Sequence, residues 1–125
     1  MISSEITPSP LKEKEYIEEF AFLYQFYKFS NEDDIISFIK KHLFLLPILV
    51  DAPREIYCVF PKDDINLELE LHHDPEEDFD ELFVVIKSPY TPEKARQLMD
   101  ELGERWFLNI MAQAQNKLCI TEETL

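Results

Sequence analysis

The residues best suited to chemistry lie on one stretch, INLELELHHDPEEDFDELFVVIK, where Glu68, Glu70 and His72 fall at every second position. In an extended strand such residues share a face, with Cβ atoms about 7 Å apart. Two carboxylates and an imidazole all carry lone pairs for a divalent cation, so the trio is a candidate metal site. A metal-dependent enzyme built on it is the alternative functional reading. Such a site needs a further ligand or water, and a partner to orient the histidine. The simpler account is a solvated face, because alternating polar residues are what any one-sided sheet requires. His73 points away from His72 while the strand stays regular, so the two imidazoles do not act together.

Other catalytic arrangements have weaker support. A two-metal nuclease would draw on Asp63, Asp64, Glu68 and Lys87. No Asp/Glu-x-Lys tripeptide lies on the LELEL strand, and a net charge of −14 opposes a polyanionic substrate, so no direct nucleic-acid binding is expected. Neither Cys58 nor Cys119 has a histidine close in sequence, and no serine sits in a GxSxG elbow. Gly103 is the single glycine, so the GxGxxG and P-loop patterns are absent and no nucleotide cofactor is expected. The two cysteines fit no metal spacing and read as reduced core residues.

The run from Asp74 to Glu81 carries six acids in eight residues. It lacks the D-x-[DN]-x-[DN]-G pattern of a calcium loop. Solvation is the plain explanation of so much like charge. The functional one is docking to a basic surface, since opposite charge steers association and weakens with salt. Phe79 offers this run an apolar anchor, and Trp106 is the kind of aromatic that interfaces favour. The candidate partner-binding set is therefore Asp74, Glu76, Glu77, Asp78, Phe79, Asp80 and Trp106, although packing of a helix on a sheet is the plainer account of Trp106 and Phe107.

The elements that must position these groups are legible by period. Ile65, Leu67, Leu69 and Leu71 alternate with polar residues, the mark of a half-buried strand. Leu82 to Ile86 is a continuous apolar run, which suits a more central strand. His72 to Glu81 would connect them as a long loop. Upstream, Ser9 and Pro10 look like a helix start. That helix would reach Phe29, burying Tyr16, Phe20, Leu23 and Tyr27, though its aromatic end also suits a strand. Ser30 with Asp33 resembles a capping box for a second helix with Ile35, Ile36, Ile39 and Leu43 inside and Pro47 as its stop. Pro47 and Pro53 each suit the start of a short helix; residues 54–60 have strand propensity too, and helix is the expectation. Thr91 and Pro92 open a helix that breaks or kinks at Gly103. Leu118 to Thr121 is a short last strand.

This order predicts an α+β fold: two to three N-terminal helices, a β-hairpin, a kinked helix and a final strand. The helices would cover one face of a three- or four-stranded sheet. A chain of 125 residues is expected to hold one domain, residues 9–125, behind a mobile polar tail at residues 1–8. MISSEITPSP has neither a basic n-region nor an apolar h-region, so no signal peptide is expected. The longest apolar run, Leu43 to Val50, contains Pro47 and falls well short of the ~20 residues that span a bilayer. A cytoplasmic setting without membrane contact is the expectation.

The segments ELELHHDPEED, LFVVI and DELGERWFL resemble a group of small uncharacterised bacterial proteins. In these an LELE-type strand ends in Asp-Pro-Glu, and a helical tryptophan-aromatic motif precedes a short final strand. The resemblance extends over residues 34–121 and implies a bacterial setting and one intact domain, but no activity. Gly103 stands where that pattern places a capping aspartate. The leading functional expectation is a non-enzymatic, acidic interaction module that binds a basic protein, as an inhibitor or antitoxin-like protein would. The aromatic surplus also suits a homodimer.

Overall fold

The computed structural model describes residues 16–125. The expected tail at residues 1–8 and the helix start at Ser9 and Pro10 lie outside the described residues. The fold is mixed α and β, built on a four-stranded sheet in the order β1-β2-β3-β4. The helices are α1 (Ile17–Phe26), α2 (Glu32–Lys41), α3 (Leu45–Tyr57), α4 (Pro92–Leu102) and α5 (Leu108–Ala114). The strands are β1 (Lys28–Phe29), β2 (Asn66–Asp74), β3 (Phe79–Ser88) and β4 (Leu118–Thr124).

Alternation along β2 does what period two dictates. Ile65, Leu67 and Leu69 are buried, while Asn66 and His72 on the other face are exposed. Antiparallel pairing with β3 runs from Asn66 opposite Lys87 to Asp74 opposite Phe79. Leu82, Val84 and Ile86 of β3, with Leu118 and Ile120 of β4, join the inner face. The helices bury Leu23, Ile35, Ile39, Leu46, Leu49, Ile56, Leu98 and Leu102 into the same core.

The connection between β2 and β3 is shorter than the sequence suggested. Both strands continue past His72 and Glu81, leaving a four-residue turn, Pro75 to Asp78. The turn forms without glycine. Asp74 Oδ1 accepts the N–H groups of Glu76 (3.0 Å) and Glu77 (3.4 Å), and Asp78 adopts φ of 52°. Aspartate tolerates that left-handed conformation better than most residues.

The fourth strand comes from the end of the aromatic segment. The first helix stops at Phe26, not Phe29; Tyr27 turns extended and Lys28–Phe29 pair in parallel with Glu68–Leu69. Residues 45–57 form one helix despite two prolines, and residues 54–57 are its last turn. Pro47 sits in the first turn, where a missing N–H costs nothing. Pro53 lies inside, so the Leu49 carbonyl lacks its usual helical donor. The Tyr27 hydroxyl fills that role, donating to Leu49 O at 2.8 Å within the core.

One expected helix feature is corrected. The second helix starts after Asn31, and Ser30 makes no capping box. Asn31 Nδ2 instead donates to Asp34 Oδ2 at 2.7 Å. Phe38 takes the buried place beside Ile35 and Ile39, with Ile36 and Leu43 half-buried. Gly103 marks the expected interruption of the crossover helix, with α4 ending at Leu102 and α5 beginning at Leu108. Its φ of −59° and ψ of −51° are helical, and the chain passes through a π-turn, Gly103–Phe107, into α5. Thr91 caps the start as expected, its hydroxyl accepting Lys94 N–H at 3.2 Å.

Candidate functional site

On the outer face of β2 the candidate metal ligands do not converge. His72 Nε2 lies 3.1 Å from Glu70 Oε1, and the imidazole stacks on Phe83 with ring centroids 4.2 Å apart. Among the described residues, no group of three or more His, Cys, Asp or Glu side chains is placed to hold a metal ion. The expected trio of Glu68, Glu70 and His72 is thus not gathered as a metal site: the side chains stand side by side on the strand face, with the Phe83 ring against His72 and an ammonium nearby. Lys87 is that ammonium, bound to Glu123 Oε1 at 2.6 Å. This bond, then the nearby charges of Glu123, Glu68 and Glu70, raises its pKa. The nuclease arrangement fails for the same reason, and Asp64 is taken by the Tyr90 hydroxyl at 2.9 Å.

The cysteines also differ from expectation. Cys119 is half-buried, and burial, then the charge of Glu81, raises its thiol pKa. Cys58 is exposed at the end of α3 and is not a core residue.

The hairpin end is different, because the fold adds residues that the sequence kept far away. A cleft of about 550 Å³ separates this end of β2 and β3 from α2. One wall is Leu71, His73, Asp78, Phe79 and Asp80. The other is Asn31, Asp34, Ser37, Phe38 and Lys41, which recur on one face of α2, with His42 at its end. Lys117 closes the cleft, its ammonium 4.6 Å from the centre of the Phe79 ring. Phe79 is therefore not a free apolar anchor; it already holds a cation.

His73 and Asp80 face each other across the two strands, and His73 Nδ1 meets Asp80 Oδ1 at 2.5 Å. That hydrogen bond, with the charges of Asp80, Asp78 and Asp74, raises the His73 pKa above its ordinary value against the opposing effect of desolvation. His73 Nε2 lies 3.9 Å from Asp78 Oδ1. On α2, His42 Nδ1 lies 2.9 Å from the Phe38 carbonyl, which ties the ring to the helix end.

The candidate partner-binding residues thus divide. Glu76, Glu77 and Asp78 are exposed at the turn. Asp74 is committed to the turn and Asp80 to His73. Trp106 is half-buried against the core beside Phe107, and it does not line the cleft. Asp34 and Asn31 were missed. The acidic first turn of α2 (Glu32, Asp33, Asp34) reads in sequence as a helix-dipole feature, and nothing local says what it faces. No protein-family model matches the chain, and no curated protein or solved structure matches it. No described helix is long and apolar enough to cross a membrane.

Proposed function

We propose that this protein is a non-enzymatic interaction module that docks a basic surface of a cytoplasmic protein partner through its hairpin end. One observation carries the reading. Acidic residues that are distant in sequence, Asp34 in the first turn of α2 and Asp78 and Asp80 of the β2–β3 hairpin, stand on opposite walls of one cleft. The carboxylates of Asp34, Asp78 and Asp80 outnumber the ammonium groups of Lys41 and Lys117 that also line the cleft, and Glu76 and Glu77 stand exposed on the adjoining turn. The net charge of −14 extends the same sign over the molecule and favours fast, salt-sensitive encounter with cations. Occupation of a basic active site, as an inhibitor would achieve it, is one form of this function.

The test compares immobilised protein with a variant carrying Glu76→Gln, Glu77→Gln, Asp78→Asn and Asp34→Asn. Proteins from source lysate retained at low salt, released by salt and lost from the variant carry the reading and identify the partner. Equal retention by the variant places recognition elsewhere and ends it.

A further inference from the structure

Charge draws a partner to the hairpin end, but the cleft contains a second recognition element made of backbone. β1 covers only Glu68 and Leu69 of the nine-residue β2. The phase of the remaining edge follows from two hydrogen bonds. Ser30 N–H donates to Leu69 O at 3.0 Å, so the peptide groups of Leu69 face the β1 side. Leu82 N–H donates to Lys117 O at 2.9 Å, so Leu82 faces β4 and leaves its opposite number Leu71 unpaired with β3. In an antiparallel ladder this alternation repeats every second residue. The N–H and C=O groups of Leu71 and His73 therefore point outward, past the end of β1. Both residues line the cleft. Among the described residues no backbone group pairs with them.

An exposed row of donors and acceptors beside a helix is the geometry in which an extended segment adds to a sheet. The chain itself vacates the position: β1 ends at Phe29, Ser30 makes the last bond to β2, and Asn31 turns away into α2. A segment continuing that row beyond Ser30 would run beside Leu71 and His73, between β2 and α2. The cleft volume lies within the range of established ligand sites. Side chains of an added strand alternate between the faces of the sheet. Those turned toward α2 meet the Phe38 ring and the Asp34 carboxylate, with the Lys41 ammonium one turn beyond Phe38. Those turned outward lie on the face of Glu70. A long aliphatic stem with a cationic head suits both environments. A second copy of this chain suits them poorly, since each copy carries a net charge of −14.

We propose that the free edge of β2 at Leu71 and His73 receives an extended, basic segment of a protein partner as an added strand, seated against α2. This rests on the docking reading above for the sign of the partner's charge; the strand geometry stands on the backbone alone.

The probe is an acetylated, amidated Arg-Val-Arg-Val-Arg peptide, alongside the same peptide N-methylated at alternate residues and a Glu-Val-Glu-Val-Glu control. Binding to ¹⁵N-labelled protein is followed by chemical shift and amide hydrogen exchange. The expected result is saturable binding of the first peptide that slows exchange at Leu71 and His73. Affinity falls more than about tenfold on N-methylation, as loss of two or more backbone hydrogen bonds implies, and the acidic control does not bind. Leu71→Pro removes one outward donor at a position where an edge strand tolerates proline, and it weakens the first peptide. Should that variant fail to fold, the N-methyl comparison on the native chain decides. Equal binding of both Arg peptides, abolished by the acidic-residue variant and leaving Leu71 and His73 exchange unchanged, overturns the added strand while the docking reading survives. Absence of saturable binding overturns the strand as well. Leu71 and His73 amides already protected in a free dimer would assign the edge to a second copy and also overturn it.

Discussion

The Tyr27 hydroxyl repairs a helix from outside it, and Tyr27→Phe isolates that effect. Pro53 has no N–H, so the Leu49 carbonyl one turn earlier has no partner within α3. Leu49 is fully buried and Tyr27 is 5 % exposed, so water does not substitute. Burial, then the charge of Tyr57, raises the Tyr27 pKa well above its usual value, keeping the hydroxyl protonated as a donor across the ordinary pH range. Removing it strands a buried carbonyl oxygen, which costs about 1–3 kcal/mol, with little lost volume. Urea denaturation of wild type and Tyr27→Phe measures the loss, expected as a lower midpoint at unchanged m-value. Pro53→Ala supplies the control, because an N–H at position 53 restores a donor to the same carbonyl. In that background Tyr27→Phe is expected to cost at least about 0.5 kcal/mol less, a coupling characteristic of groups that share a partner. The same cost with and without proline would refute the repair and make the tyrosine an ordinary core aromatic. A loss under about 0.5 kcal/mol in the native background would refute the claim that the carbonyl depends on it.

Three further outcomes are expected. Gly103→Ala stabilises the protein by about 0.5–1 kcal/mol in the same denaturation assay, since the position is helical and an added Cβ meets only Leu108 Cγ at 3.9 Å; destabilisation would show that the π-turn requires glycine. His73 titrates above about 6.5 by NMR and falls back in Asp80→Asn. Because its folded pKa is raised, the pair contributes fully below the ordinary histidine value and its contribution is lost as pH rises through the raised value; an unchanged midpoint in Asp80→Asn would remove the pair as the cause. Under native conditions a thiol reagent modifies exposed Cys58 faster than half-buried Cys119, whose thiolate is disfavoured, and mass spectrometry of the labelled peptides reports the order.

Legibility followed the range of the interaction. The β2 alternation and the Thr91 cap are set by neighbours a few positions away, and each was readable; residues 54–57 were balanced between helix and strand, and the fold makes them the last turn of a helix that runs through Pro53 instead of starting there. The interruption at Gly103 was readable too, but its form, a π-turn with helical dihedral angles, was not, because glycine only permits a break. The aromatic segment misled at its end because Phe29 gains a place beside Leu69 in the sheet, a partner some 40 residues away. For the candidate site, the acidic hairpin residues were visible as charge, but their roles were not. Asp80 is spent on His73 and Phe79 on Lys117, and both pairings depend on strand register.

The sequence by itself determined the α+β class, the inward leucines of β2, the acidic character and the absence of nucleotide-binding motifs, because period, charge and glycine content are properties of the chain. Only the tertiary structure decided which acids face each other, that Glu68, Glu70 and His72 do not gather, and which backbone groups remain unpaired on β2. Those outcomes depend on where strand pairing stops and on where α2 lies against the sheet. Such distances are fixed by burial of the common core, and no local pattern of residues encodes them.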